Sequence, residues 1–392
     1  MKVLLIGSSF SAMPFLYELK RLGADVSVIG KYEADPCHSF VEHSIHEDYS
    51  DSENLLRICK EHGFDHIVPS CNDYSYVAGA AVANVLGLPG FDSPEVTEIL
   101  HTKDRFRRFC QEIGVPAPRI YGEVTPDSGT QEVSAQLDGP ALVKPVDSFS
   151  GRGVELIHSA AELDEAIARA MDMSRGKRAV VEQFVEGALH SHTAFIADGR
   201  IIWHQFVDEF CEVYRYQVDR SQFPTRLTAE IRDAVQRAME RVVEALGLCD
   251  GLLHTQFIAS EHAFWIIECM RRCPGDLYGH HFKFSFGYNY EAQYVAGFLG
   301  CKPQPPAADG PSPMRIERRV LSVADPQAFF AVHLGADGGD GGPEKIYVPL
   351  KDSGQKLEAA PFDKAGILFL RGDPETTPEQ ISATKAHMLF HN

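Results

Sequence analysis

The sequence offers little that a membrane or a nucleic acid would hold. Its amino-terminal apolar run, Val3-Leu4-Leu5-Ile6 behind Lys2, stops at Gly7-Ser8-Ser9. That is too short for a secretory leader or a bilayer span, and it reads as a buried parallel strand. No lipidation signal is evident, so the expectation is a cytoplasmic chain with no membrane partner. Basic charge is scarce: 37 Lys and Arg stand against 55 Asp and Glu, a net charge of −18. Broad contact with a phosphate backbone needs a basic face, which removes nucleic acid as an expected partner and leaves room only for a local basic pocket. The nine cysteines form no C-x-x-C unit. Cys269 and Cys273 are the nearest pair, and no second pair or neighbouring His completes a zinc set. Reduced thiols are the simplest reading.

What is present suits a folded chain of two or three domains. Of 392 residues, 44% are hydrophobic and 23% charged, ordinary values for a globular protein. Short apolar runs at Val3–Ile6, 24–29 and His66–Pro69 alternate with helical patterns at 10–22, 55–62 and 76–86. Such alternation predicts parallel βαβ units with right-handed crossovers. Gly7-Ser8-Ser9-Phe10-Ser11-Ala12 sits where a dinucleotide fingerprint would, but its second and third glycines are missing. The spacing predicts a helix over 103–113 and another from Thr228 to Leu246, with Thr228 as N-cap and Gly247 just past the end. Ile231, Val235, Ala238, Val242 and Ala245 mark the buried face of the latter. A Pro- and Gly-rich stretch at 301–313 reads as a boundary. Strand patterns follow at 315–323, 346–350 and 366–370, then a terminal helix from Pro378; Gly335 to Gly342 reads as a flexible loop.

Three segments carry chemistry. In Leu142-Val143-Lys144-Pro145 a strand delivers a lysine, and the small-residue loop Ser148-Phe149-Ser150-Gly151-Arg152-Gly153 follows at once. Glycines let backbone N–H groups approach phosphate oxygens, and a lysine adds a point charge there; an ordinary hairpin with a surface lysine would read alike. Next, Ala179-Val180-Val181-Glu182-Gln183-Phe184-Val185 is an apolar strand able to present carbonyl and N–H groups to a purine edge, or simply a strand with a solvated end. Finally, strands around His254–Ile258 and Phe264–Met270, joined through Ser260-Glu261-His262, would set Gln256 beside Glu268. Hard oxygen ligands suit Mg²⁺ shared with phosphates. Arg272 lies four residues after Glu268, and an arginine fork fits a carboxylate or a transferring phosphoryl group. A buried Glu268–Arg272 ion pair is the competing role.

In this order, with Lys103 ahead of them, the segments resemble the ATP-grasp superfamily over residues 1 to 300. The resemblance implies an α/β doubly wound domain at 1–100, a two-lobed α+β ATP-grasp fold at 101–300 and a C-terminal α+β subdomain at 301–392. It implies that Lys103 and Lys144 touch the phosphates of ATP beneath the loop of Ser148, Ser150, Gly151 and Gly153. Glu182, Phe184 and the backbone of Gln183 and Val185 would meet adenine, Gln256 and Glu268 would hold Mg²⁺, and Arg272 with Lys144 would serve catalysis. Three positions depart from the family pattern. Gln256 replaces the commoner Glu, as in the carbamoyl-phosphate synthetase branch; Met270 replaces Asn; Leu189 replaces the acid that binds ribose, with His190 as its substitute.

The implied reaction is attack of a carboxylate on ATP, then capture of the acyl phosphate by an amine. Pro274-Gly275-Asp276 after Arg272 looks like the tail motif of amino-acid ligases. Arg271 and Arg272 would hold an amino-acid carboxylate and Asp276 an ammonium group, although Asp276 is equally a helix N-cap candidate. His280, with Tyr278 and His281, would line the substrate pocket. Asp208, Glu209, Glu212 and Arg215 fit a loop over the second substrate or a solvated charged face. The segment 301–392 would complete the body or support a homodimer and shows no recognisable chemistry. Two other readings stand: a bicarbonate-activating, carboxylase-like enzyme, favoured by Gln256, and a catalytically silent nucleotide-binding protein, favoured by Met270 and Leu189.

Overall fold

The computed structural model describes residues 1–147, 151–335 and 342–391. The expected loop residues Ser148 and Ser150, and residues 336–341 of the glycine-rich loop, lie outside the described residues.

The first three apolar runs pair as expected from their composition, and a short strand not foreseen from the sequence, His43–Ile45, joins them at the edge. Strands His43–Ile45, Asp25–Ile29, Lys2–Ile6 and His66–Pro69 lie side by side in that order, all parallel. Side chains alternate across a strand, and both faces here are covered. Val3 and Leu5 join a core with Phe15, Leu16 and Tyr294, whereas Leu4 and Ile6 pack with Leu55, Ile58 and Val82. Each such fully buried aliphatic side chain contributes about 1.5–3 kcal/mol. The helices Ser52–His62 and Asp73–Leu86 start on real caps: Asp51 accepts from Glu53 and Asn54, and Asn72 from Ser75. The first core also contains Phe195 and Tyr290, so the parallel sheet is built into the rest of the molecule.

Two antiparallel sheets form the working part. A four-stranded sheet runs Ile120–Val124, Ala179–Gln183, Ala141–Pro145, Glu155–Ile157, backed by Leu163, Ala166, Ile167 and Ala170 of the helix Leu163–Met173. The larger sheet has eight strands among the described residues, in the order Phe264–Met270, Gly251–Ala259, Ala188–Ala197, Arg200–Phe210, Arg220–Phe223, Arg315–Leu321, Gly366–Gly372, Glu344–Pro349. The helix Ala229–Leu246 packs on it, with Thr228 capping Ile231 N–H and Gly247 in the left-handed region at φ 58°. Met239 and Val243 join its buried face, and Ala245, expected there, is exposed.

Three expectations change. The hairpin Ala188–Ala197/Arg200–Phe210 at the centre of the large sheet was not foreseen, so Asp208 and Glu209 stand on a strand and not on a loop. The strand Arg315–Leu321 pairs with Arg220–Phe223, so the chain beyond residue 313 extends the central sheet. The terminal helix is only Pro378–Ser382, and a strand Ala386–Phe390 follows it, paired with Gln327–Leu334.

Candidate active site

A cleft of about 1160 Å³ opens between the two antiparallel sheets and reaches the ends of the parallel one. It brings together Lys103, Lys144, Gly151, Glu182–Val185, His190, Gln256, Glu268, Arg272 and Asp276. Alternation along Ala141–Pro145 buries Val143 in the core and aims Lys144 at the cleft. Lys144 Nζ bonds Oε1 of Glu182, whose side chain is 1% exposed. Arg107 Nε lies 3.3 Å from Oε2 but outside hydrogen-bond geometry, which leaves Oε2 without a hydrogen-bond partner. Burial alone would raise the Glu182 carboxyl, yet Lys144 and Arg107 hold it below its ordinary range. Burial, assisted by Arg107, lowers the Lys144 ammonium against the pull of Glu182.

The loop after this strand is fixed from the far side. Gly151 has φ 66°, and a Cβ there would meet the Tyr216 carbonyl oxygen at 2.4 Å; Tyr214 Oη donates to the Gly151 carbonyl at 3.4 Å. Only glycine allows that approach. Gly153 turns away from the cleft, toward Pro145 and Met173. On the opposite wall the Gln183 and Phe184 N–H groups are bonded to the Arg119 and Pro140 carbonyls. The Gln183 N–H, expected to meet a purine, is therefore engaged. The Val185 N–H finds no acceptor among the described residues.

Gln256 and Glu268 are direct cross-strand partners, and both line the cleft half-buried. Their oxygens offer two hard donors. Among the described residues there is no group of three or more His, Cys, Asp and Glu able to hold a metal, so any Mg²⁺ here takes its other ligands from phosphate and water. Met270 lies on the same wall. His190 is held by Asp208, with Nδ1 at 2.9 Å from Oδ1, and its ring stacks on Phe257 at 5.5 Å.

The neighbouring arginines separate. Arg272 faces the cleft and forks onto Asp73 at 2.8 and 3.2 Å. Arg271, expected to hold substrate, is 2% exposed and points the other way. It bonds Asp92 at 2.7 Å and the Leu252 and Cys249 carbonyls at 2.6 and 2.7 Å. A guanidinium satisfied in this way is structural. His280 is also outside the cleft lining, with Nδ1 on Glu291 at 2.9 Å and its ring on Phe369. Asp276 lines the cleft but caps no helix; the His280–Phe286 helix has Gly279 as its cap. Asp276 and Leu277 both stand at φ 57°, a costly backbone for non-glycine residues that tends to persist at functional sites. Asp276 is paired with Lys364. Burial would raise its carboxyl, and Lys364 and Arg318 outweigh that to hold it low.

Several cleft residues were not anticipated. Asp73 and Asn72 come from the parallel-sheet unit, and Arg318 and Lys364 from the segment expected to carry no chemistry. Arg318 is buried, bonds Ser221 Oγ at 2.7 Å and leaves its Nε without a partner. Glu209 accepts from Ser191, at 2.7 Å, and from Ser221, and burial raises its carboxyl against the opposing Arg318. Buried His254 is pushed far below the ordinary imidazole value by desolvation, then by Arg272, His192 and Arg318. A basic residue placed where strand alternation faces the cleft was the one sequence signal that could have found Arg318.

Comparison with known proteins bears on this arrangement. Residues 120–276 match the family described as D-ala D-ala ligase C-terminus. A curated relative, the formate-dependent phosphoribosylglycinamide formyltransferase of Methanocaldococcus jannaschii, is 26% identical over 256 residues, covering 63% of each chain. The match thus spans under two thirds of that relative's length. Two solved structures share the fold over 100% of this chain and 99% of theirs, each with a TM-score of 0.78. They are an L-amino acid ligase from Bacillus licheniformis, 18% identical, and a phosphoribosylglycinamide synthetase from Anaerococcus prevotii, 14% identical.

Proposed function

We propose, from the premise that this chain carries an ATP-grasp domain and that such enzymes use ATP with Mg²⁺, that it is a carboxylate–amine ligase. One observation carries the reading: a single cleft holds two lysines, a glycine turn, a free backbone donor at Val185, the oxygen pair Gln256/Glu268 and an arginine fork. The names of its relatives point the same way, since one is formate-dependent and another is an L-amino acid ligase.

The residues fit the groups they would hold. Glu182 Oε2 is a buried acceptor without a hydrogen-bond partner, and with the Val185 N–H it offers the acceptor–donor pattern that an adenine edge requires. Lys103 and Lys144 supply cations for phosphates. Gln256 and Glu268 would hold Mg²⁺, which when bound neutralises phosphate charge. Arg272 orients the attacking carboxylate or steadies the phosphoryl group by a fork-shaped contact. A carboxylate oxygen attacks the γ-phosphorus, ADP leaves, and an amine then displaces phosphate from the acyl phosphate to give an amide. Positioning and charge stabilisation account for the rate.

The test offers ATP, Mg²⁺ and a panel of amino acids and simple carboxylates, singly and in pairs, and follows nucleotide products together with new amides by mass spectrometry. ADP and phosphate released only with a particular pair, and lost in Glu268→Ala, are expected. AMP with pyrophosphate would overturn the acyl-phosphate chemistry. Incorporation of labelled bicarbonate without an amide product would replace this reading with a carboxylase-like one.

A further inference from the structure

Arg272 does not reach the cleft as a free side chain. Asp73, the first residue of the helix Asp73–Leu86, places Oδ2 at 2.8 Å from Nη2 and Oδ1 at 3.2 Å from Nε. A carboxylate in the first turn also has the favourable end of the helix dipole. Behind it, His101 Nδ1 is 2.9 Å from the same Oδ1. The His101 side chain is 3% exposed and its ring stacks on Tyr76 at 4.9 Å and 16°. The three groups come from separate parts of the chain: the parallel-sheet unit, the helix Pro94–His101 and the end of the Phe264–Met270 strand.

We propose that Asp73, steadied by His101, is a positioning residue that holds Arg272 in its working orientation. A guanidinium has two edges that can each engage a carboxylate, Nε/Nη2 and Nη1/Nη2. Asp73 takes the first; on the second, Nη1 makes only a long contact, 3.5 Å, to the Cys273 carbonyl, and Arg272 lines the cleft. An arginine tethered on one edge no longer has to lose its rotamer freedom when substrate arrives. Burial would raise the Asp73 carboxyl, but Arg272 and then His101 outweigh it and keep it ionised, so the anchor persists at neutral pH. The inference rests on the ligase reading for the role of Arg272, but not for its geometry.

Two measurements on the full chain separate those parts. In ligand-free protein labelled with ¹⁵N-arginine, the Arg272 Nε–H signal, assigned by its loss in Arg272→Lys, should be slow to exchange with solvent and should lose that protection in Asp73→Asn. With the acid–amine pair that turns over wild-type enzyme, Asp73→Asn should lower kcat about a hundredfold, the scale of a misplaced reacting group. KM for ATP should move by no more than about twofold, since Asp73 leaves the nucleotide contacts alone. Adding Asp73→Asn to Arg272→Lys should cost little more than Arg272→Lys alone, as groups acting as a unit do. His101→Phe should lower kcat by about tenfold, within the usual range for a supporting hydrogen bond, and His101→Gln, which keeps a donor, should recover most of it. An Arg272 signal indifferent to Asp73→Asn, or losses that simply add in the double variant, would overturn the proposal. A wild-type protein that releases no ADP while its Arg272 signal responds to Asp73→Asn would instead overturn the ligase reading.

Discussion

Arg271 and Arg272 leave the same strand side by side, and the fold treats them as unrelated residues. Arg271 and Asp92 are both almost wholly buried, each with 2% of its side chain exposed. Arg271→Ala would strand the Asp92 carboxylate in the interior, at a cost of about 3–5 kcal/mol, read as a lower urea midpoint. Arg272→Lys keeps a charge near Asp73 and should shift stability by less than about 1 kcal/mol, while ADP release falls at least about a hundredfold because the fork is lost. An Arg271→Ala protein as stable as wild type would contradict this division. From the sequence both arginines looked equally fit for a carboxylate. Residue type gives the chemistry a side chain can do, while its direction depends on contacts such as Asp92 and Asp73, far away in the chain. Glu182 teaches the same lesson: its place on the cleft wall was readable, but its bonding to Lys144 and its closeness to Arg107 were not.

The elements that could be read were those whose signal is local. The helix Ala229–Leu246 has its cap, its apolar stripe and its terminal glycine within its own sequence. Thr228→Ala should cost about 1 kcal/mol through the lost cap. Gly247→Ala should cost a similar amount, about 1 kcal/mol, from the left-handed backbone alone, because nothing lies within 4 Å of an added Cβ. Thermal or urea unfolding of the two variants checks both, and a neutral Gly247→Ala would show that the helix end relaxes. Three of the four parallel strands were equally legible as short apolar runs; His43–Ile45, a polar three-residue edge strand, was not. The Ala188–Ala197 strand was not, since its centre reads His190-Ser191-His192-Thr193 and looks like a polar loop. All four are buried, and they are tolerated because partners arrive from elsewhere: Asp208, Glu209, Gln236 and Tyr290 bond them in turn. Polarity misleads whenever its compensation is non-local.

The molecule as a whole hides several ionisable groups, and they determine its response to acid. Desolvation, aided by His204, pushes His192 down to about 3; desolvation and Arg318 do the same to His281. His254 moves in the same direction. Below about pH 6.5 the unfolded chain binds protons at these imidazoles and the folded chain does not, so stability is full above that pH and falls below it. Each contributes about 1.4 kcal/mol per pH unit between the unfolded and folded values. Asp73, Glu182 and Asp276, all held low in the folded state, add a further loss below about pH 4, as the unfolded carboxyls protonate first. Glu209, raised by burial, has the opposite sign: it gains stability as pH falls toward the ordinary carboxyl value and so works against the histidine loss in that window. Urea midpoints at pH 7, 6 and 5 should therefore decline steadily, and a flat profile would mean that these histidines charge within the fold. The central sheet bears on how the chain is made. A ribosome releases Arg220–Phe223 well before Arg315–Leu321, the strand that pairs with it on one side. Until residues 315–321 emerge, a growing polypeptide carries an open β edge, the kind of surface through which neighbouring nascent chains on one message can cross-pair. Arg318 and Lys364 reach the cleft only with that late segment, so translation has to pass residue 364 before the cleft walls gain these two cations.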